Sequence, residues 1–133
     1  MASALYSYPC PCCGYLSQCA PPGSYNSCEI CRWTDDPSQL RYARTRGGAN
    51  RESLVEAQEN FRSCGASNEK KLPVVRKSGS MDARDPAWRL WNPETDDTER
   101  SETSVGYGKS YPADTTTLYY WRDTYWRKRT RRS

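Results

Sequence analysis

The stretch YPCPCCGYL, residues 8–16, places Cys10, Cys12 and Cys13 within four positions, with Pro11 among them and Gly14 directly after. A second group, Cys28-Glu29-Ile30-Cys31, follows, with fourteen residues between Cys13 and Cys28. Cys10 with Cys13, and Cys28 with Cys31, each frame a C-x-x-C knuckle. Two residues between sulfurs let a tight turn aim both at one ion, and glycine relieves the crowding where the chain leaves that turn. The separation is close to the roughly 15–20 residues of paired-knuckle zinc sites. The candidate metal ligands are therefore Cys10, Cys13, Cys28 and Cys31, and the expected cofactor is a Zn2+ ion held tetrahedrally at about 2.3 Å. Four thiolates close such a site to water, which favours a structural role over metal catalysis. Cys12 reads as a packing thiol, with a redox-active or alternative-ligand role as the sharper option. Cys19 and Cys64 read as small buried apolar residues.

Composition points to a small core stiffened by disulfides or a metal. Of 133 residues only seven Leu, one Ile, four Val and one Phe are available for an aliphatic core. That is far below the roughly 20% typical of globular chains. Ten Tyr and five Trp supply part of the missing volume. A metal supplies much of the rest, since structural zinc contributes on the order of 10–16 kcal/mol in finger peptides. Histidine is absent. This excludes Ser-His-Asp triads, Cys-His proteases, HExxH sites and mixed Cys/His fingers. No apolar run has signal-peptide or membrane-span character. The expectation is a cytoplasmic protein whose thiols stay reduced.

Residues 14–28, GYLSQCAPPGSYNSC, are expected to form a hairpin. Tyr15 and Leu16 begin one arm, Pro21-Pro22-Gly23 makes the turn, and Tyr25 lies on the returning arm. In GGANRESLVEAQENFRSCG, residues 47–65, Ser53 and Glu56 match a capping box, with Asn50 as a rival N-cap. Leu54, Ala57, Phe61 and Cys64 form an apolar stripe at helical spacing, and Gly65 suits a left-handed C-terminal cap. Gly47-Gly48 reads as a turn, ahead of a phosphate cradle. Asp35 and Asp36, followed by Pro37 and Ser38, read as turn or cap carboxylates, ahead of an acid/base pair.

These blocks carry a resemblance. YPCPCCGYL, PPGSY, the C-x-x-C-x-W-x-D-D run of Cys28, Cys31, Trp33, Asp35 and Asp36, and GGANRESLVEAQENF together resemble the bacterial cysteine-rich CPCC family over residues 8–65. DPAWRLWNPETD and LYYWRDTYWR are similar to longer members. The resemblance implies a small zinc-ribbon domain with no defined activity, and some members look like immunity proteins of toxin systems. Glu29 and Arg32 depart from the family pattern, where proline and an apolar residue are expected.

The fold class is then a small α+β protein. Residues 1–66 form a zinc-ribbon-like β-hairpin with one packed helix, and residues 67–133 an irregular, aromatic-rich extension. Residues 66–85 are polar and basic and read as a linker. LYYWRDTYWRKRTRRS, residues 118–133, interleaves aromatic and basic residues. It fits a short helix through Leu118, Trp121 and Tyr125, or a strand through alternation about Trp121. Part of it is expected to complete the core.

Three function classes compete. A non-enzymatic, zinc-stabilised protein-interaction module ranks first, because Tyr, Trp and Arg dominate binding hot spots. Its partner is a protein, such as a bacterial toxin in the immunity reading. The candidate partner-binding residues are Trp121, Arg122, Tyr125, Trp126, Arg127, Lys128 and Arg129. A nucleic-acid binder using that tail ranks second. Six basic and six acidic side chains in residues 1–66 leave the ribbon itself neutral. A thiol redox enzyme ranks last. No membrane or small-molecule partner is expected.

Overall fold

The computed structural model describes residues 8–96 and 111–126. Arg127, Lys128 and Arg129 lie outside the described residues, as do Asp97, Glu99 and Glu102 of the acidic run.

The first knuckle is itself the tip of the hairpin. Strand β1 (Tyr8–Pro9) pairs antiparallel with β2 (Leu16–Gln18), with an irregularity between Tyr8 and Pro9. The chain turns at Cys10–Gly14, so the cysteines sit where the strands meet. This corrects the hairpin expected around Pro21-Pro22-Gly23. Tyr25 does not pair with the Tyr15 arm. It adopts a left-handed conformation (φ 61°), and its amide donates to the Asp35 carbonyl. The Tyr15 arm has other partners. The Tyr15 carbonyl accepts from Cys10, the Leu16 amide donates to the Ala83 carbonyl, and Tyr15 bridges Arg84.

The second knuckle makes a smaller turn of its own, closed by a bridge between Ser27 and Thr34. Helix α1 (Pro37–Arg41) follows, with Pro37 at its start and Asp36 as N-cap. Asp36 accepts from the Ser38 amide (2.9 Å) and hydroxyl (2.7 Å) and from the Ala49 amide (2.9 Å). Asp35 is buried and accepts from the Ser24 amide and hydroxyl. Both carboxylates are therefore engaged in turns and caps. Gly48 has a packing requirement: a Cβ there would sit 2.5 Å from an Asp36 carboxylate oxygen.

Helix α2 (Leu54–Cys64) starts at Ser53, with both bonds of the capping box formed, and ends at Gly65 with φ 94°. Asn50 is not its cap. The Asn50 side chain clamps Thr34 through both amide and carbonyl, and buried Gln39 holds the Asn50 backbone in turn. Leu54, Ala57 and Gln58 are buried. Phe61 is half-buried and Cys64 is exposed, so the apolar stripe leaves the core in the last turn. Cys19 is likewise exposed, just beyond β2. The expectation that Cys19 and Cys64 are buried is corrected: Cys19 lies just past buried Gln18, and Cys64 closes α2 beyond Phe61, which is the part of the last turn that packs on the core.

Residues 66–85, read as a linker, wrap the ribbon instead. The Ser67 amide donates to the Cys31 carbonyl, and a 3₁₀ helix runs from Glu69 to Val74. The Arg76 amide then reaches the Glu29 carbonyl, and its guanidinium pairs with Glu29 and Asp82. The segment ends beside β2. Further on, Thr115–Leu118 form a second 3₁₀ helix capped by Asp114. Turns carry the chain from there to Tyr125, so the segment through Trp121 is neither a helix nor a strand. Leu118, Tyr119, Tyr120, Trp121 and Tyr125 join the four-cysteine region, Trp33, Leu40, Leu54, Ala57 and Trp91 in one core cluster. Aromatic rings thus occupy the volume the scarce aliphatic residues leave. Among the described residues no helix is long and apolar enough to cross a membrane.

Candidate metal centre

Both knuckles are built by one backbone device. The Gly14 amide donates to the Cys10 carbonyl at 2.7 Å, and the Arg32 amide donates to the Cys28 carbonyl at 2.7 Å. The Cys10 amide donates to Tyr15 and the Cys28 amide to Trp33, each at 2.9 Å. Gly14 and Arg32 both take left-handed φ, at 80° and 68°. This turn directs the first and last sulfur of each knuckle to one point.

There the four sulfurs of Cys10, Cys13, Cys28 and Cys31 lie within 4.8 Å of one another, all buried. Cys10 Sγ is 3.6 Å from Cys31 Sγ, and Cys13 Sγ is 3.8 Å from Cys28 Sγ. A tetrahedron with metal–sulfur bonds of about 2.3 Å has sulfur–sulfur edges of about 3.8 Å. A disulfide would need about 2.05 Å, and all seven cysteines are free thiols. The donor set and its spacing therefore fit a single soft or borderline metal ion. No other group of three or more His, Cys, Asp or Glu side chains among the described residues is suitably placed. Cys12 is buried in the core cluster but is not one of the four.

Electrostatics agree with a cationic occupant. Burial pushes the Cys10, Cys13 and Cys31 thiols well up, while hydrogen bonds from neighbouring thiols, Cys10 first, pull Cys28 down. Without a cation, the interior opposes carrying four thiolates at once. A divalent ion bound there would supply the missing positive charge.

The surroundings hold the knuckles in place. Gln58 of α2 is buried and donates to the Pro11 carbonyl (3.0 Å) and the Tyr120 hydroxyl (2.8 Å). Its carbonyl accepts from the Trp91 amide at 2.9 Å. The Trp88 indole also donates to Pro11, at 3.0 Å. Arg84 donates to the Cys13 carbonyl at 2.9 Å and stacks on Tyr15 and Trp88. A Cβ at Gly14 would lie 2.5 Å from the Trp88 ring, so glycine is required there by space as well as by φ. Ser17 of β2 shares a 3.0 Å hydrogen bond with Cys28 Sγ. None of Gln58, Arg84 or Ser17 stood out in the sequence. Gln58 had one signal, a polar residue four positions after Leu54 beside the apolar stripe.

The family model of cysteine-rich CPCC proteins matches residues 8–82, more than half the chain. The chain belongs to the cysteine-rich CPCC family. The match runs past α2 and takes in residues 66–82 of the segment that wraps the ribbon. No curated protein gives a significant match.

The tail residues singled out for partner binding are placed inward where described. Trp121 and Tyr125 are buried. Arg122 pairs with buried Asp85 at 3.0 Å, and Asp85 also accepts from the Trp121 indole. Trp126 lies against the Arg41 guanidinium, 4.7 Å from its ring centroid.

Proposed function

We propose that this CPCC protein is a zinc-stabilised, non-catalytic protein-interaction module. The observation that carries the metal half is that four buried sulfurs lie within 4.8 Å of one another, with two of their pairs at 3.6 and 3.8 Å, close to a tetrahedral edge. Zn2+ is the ion these donors suit best: four thiolates in a closed tetrahedral set are its structural signature. Cys10, Cys13, Cys28 and Cys31 would hold it, and when bound it cross-links two turns that little aliphatic packing supports. The reduced thiols suit a cytoplasmic setting.

The interaction half rests on what the surface offers. Among the described residues, three of the four exposed large apolar side chains, Leu72, Val74 and Met81, lie on the segment that wraps the second knuckle. Basic residues, including Lys70 and Lys77, flank them in the sequence. Exposed apolar side chains on a basic segment suit a protein with an acidic face. A toxin neutralised by an immunity protein would be one such partner.

Nucleic-acid binding is the competing reading, supported by five basic residues among positions 127–133. One experiment separates the two. Complexes isolated with the full chain are compared with those of a Leu72→Ser/Val74→Ser/Met81→Ser variant and of a chain ending at Trp126. The proposal expects a defined protein partner, lost by the triple variant and kept by the truncation. Salt-sensitive DNA or RNA binding that truncation abolishes would overturn it.

A further inference from the structure

The two halves of the cysteine cluster are not equivalent. Cys28 has a hydroxyl against its sulfur: Ser17 Oγ lies 3.0 Å from Cys28 Sγ. Ser17 is the middle residue of β2, which pairs with β1 across the first knuckle. Cys28 belongs to the second knuckle. The contact therefore joins the strand of one knuckle to the sulfur of the other.

The direction of this hydrogen bond depends on the state of the sulfur. A thiol can donate to the Ser17 oxygen or accept from it. A metal-bound thiolate can only accept, so Ser17 must then be the donor. Four thiolates around a divalent ion leave a net charge of −2 in a buried site. Donors to the sulfurs disperse that charge, and such partners of metal ligands typically control affinity by roughly 10–100-fold. Among the described residues Ser17 is the only hydroxyl bonded to a cluster sulfur.

We infer that Ser17 is a positioning residue of the metal centre: its hydroxyl donates to the Cys28 thiolate, fixes that sulfur's orientation and retains the ion. The inference rests on the proposed metal-centre reading. It extends that reading to a residue outside the C-x-x-C pattern, and it makes Cys28 the least electron-donating of the four sulfurs. Without the hydroxyl, Cys28 donates more strongly to the metal, so the sulfur-to-metal charge-transfer absorption moves to lower energy.

The test uses the full chain as wild type, Ser17→Ala and Ser17→Thr. Each is titrated with Co2+ while its charge-transfer band is recorded, and Zn2+ is then competed in. Far-UV circular dichroism of each loaded protein reports the fold. The expected result is that Ser17→Ala, still folded when loaded, binds roughly 10–100-fold more weakly with a red-shifted band. Ser17→Thr, which keeps a hydroxyl in a strand position that suits β-branching, restores both. Unchanged affinity and band in Ser17→Ala would overturn the inference while leaving the metal centre intact. An equal loss in Ser17→Thr would overturn it too, by showing that side-chain size and not the hydroxyl matters. A wild-type chain that takes up no Co2+ or Zn2+ would remove the metal centre itself and this role with it.

Discussion

Gly14 and Arg32 occupy the same place in the two cysteine knuckles. Each follows the last cysteine of its pair, adopts a left-handed φ, and donates its amide at 2.7 Å to the carbonyl of the first cysteine. Only Gly14 does so without a Cβ. Arg32 holds the strained conformation with side-chain support: its Nε donates to the Val74 carbonyl, and Lys71 donates to the Arg32 carbonyl.

Substitutions at the two positions should therefore diverge. Gly14→Ala introduces a Cβ into the Trp88 ring as well as a strained φ, and is expected to cost at least about 2–3 kcal/mol. Arg32→Gly removes about 1 kcal/mol of left-handed strain and gives up one exposed hydrogen bond, so its net effect should be near zero. Arg32→Val, β-branched in the same conformation, should be clearly destabilising. Thermal melts of the three metal-loaded variants rank them, and a Gly14→Ala protein as stable as Arg32→Gly would contradict the shared-turn account.

Gln58 joins α2, the first knuckle, Trp91 and Tyr120 through one side chain. Gln58→Leu fits the volume but leaves the Trp91 amide without its partner and removes a donor from Pro11 and Tyr120. The expected cost is about 3 kcal/mol, from buried polar groups stripped of partners at about 1–3 kcal/mol each. Denaturant unfolding measures it. A loss below about 0.5 kcal/mol would mean that the bonds around Gln58 do not tie the aromatic segment to the ribbon.

Asp85 anchors that segment from another side. Burial alone would raise its carboxyl, but bonds from the Trp121 indole, the Ala87 amide and Arg122 hold it below the usual range. A depressed folded-state value means that the charged form stabilises the fold. The contribution is complete above the unfolded value of about 3.9 and disappears as pH falls through the lower folded value. Wild type should lose stability relative to Asp85→Asn across that acid window, and the gap should be constant above about pH 5. A gap that widens on acidification would reverse the assignment.

Cys12 is buried in the same core cluster yet stands outside the four-sulfur set. Cys12→Ser should keep a full complement of metal and lose only the packing of a small apolar group, while Cys13→Ser should lose metal. Elemental analysis of the two purified variants decides. Metal lost from the first and kept by the second would reassign the first knuckle.

What the sequence made legible was local. Cysteine spacing announced the cluster, and the Ser53–Glu56 capping box with Gly65 bounded α2, because caps and knuckles are settled by neighbours within a few residues. The hairpin turn was misplaced because Pro21-Pro22-Gly23 is a strong turn signal. The competing turn at Cys10–Gly14 is made by the knuckle itself, and Ala83 and Arg84, nearly seventy residues away, engage the Tyr15 arm. The wrapping of residues 66–85 was hidden for the same reason: a polar, basic stretch looks like a linker until its backbone amides find Glu29 and Cys31 carbonyls. The 3₁₀ and turn structure around Trp121 follows from Gln58 and Asp85, whose partners no periodicity reveals.

The central claim is that one metal ion holds this fold together through Cys10, Cys13, Cys28 and Cys31. Native mass spectrometry of the purified full chain, paired with a thermal melt before and after chelation, tests it most directly. The account predicts one Zn2+ per chain and, on its removal, loss of the cooperative melt, because binding energy and folding energy are linked at such sites. A chain that carries no metal, or that melts at the same temperature after losing it, would contradict the account.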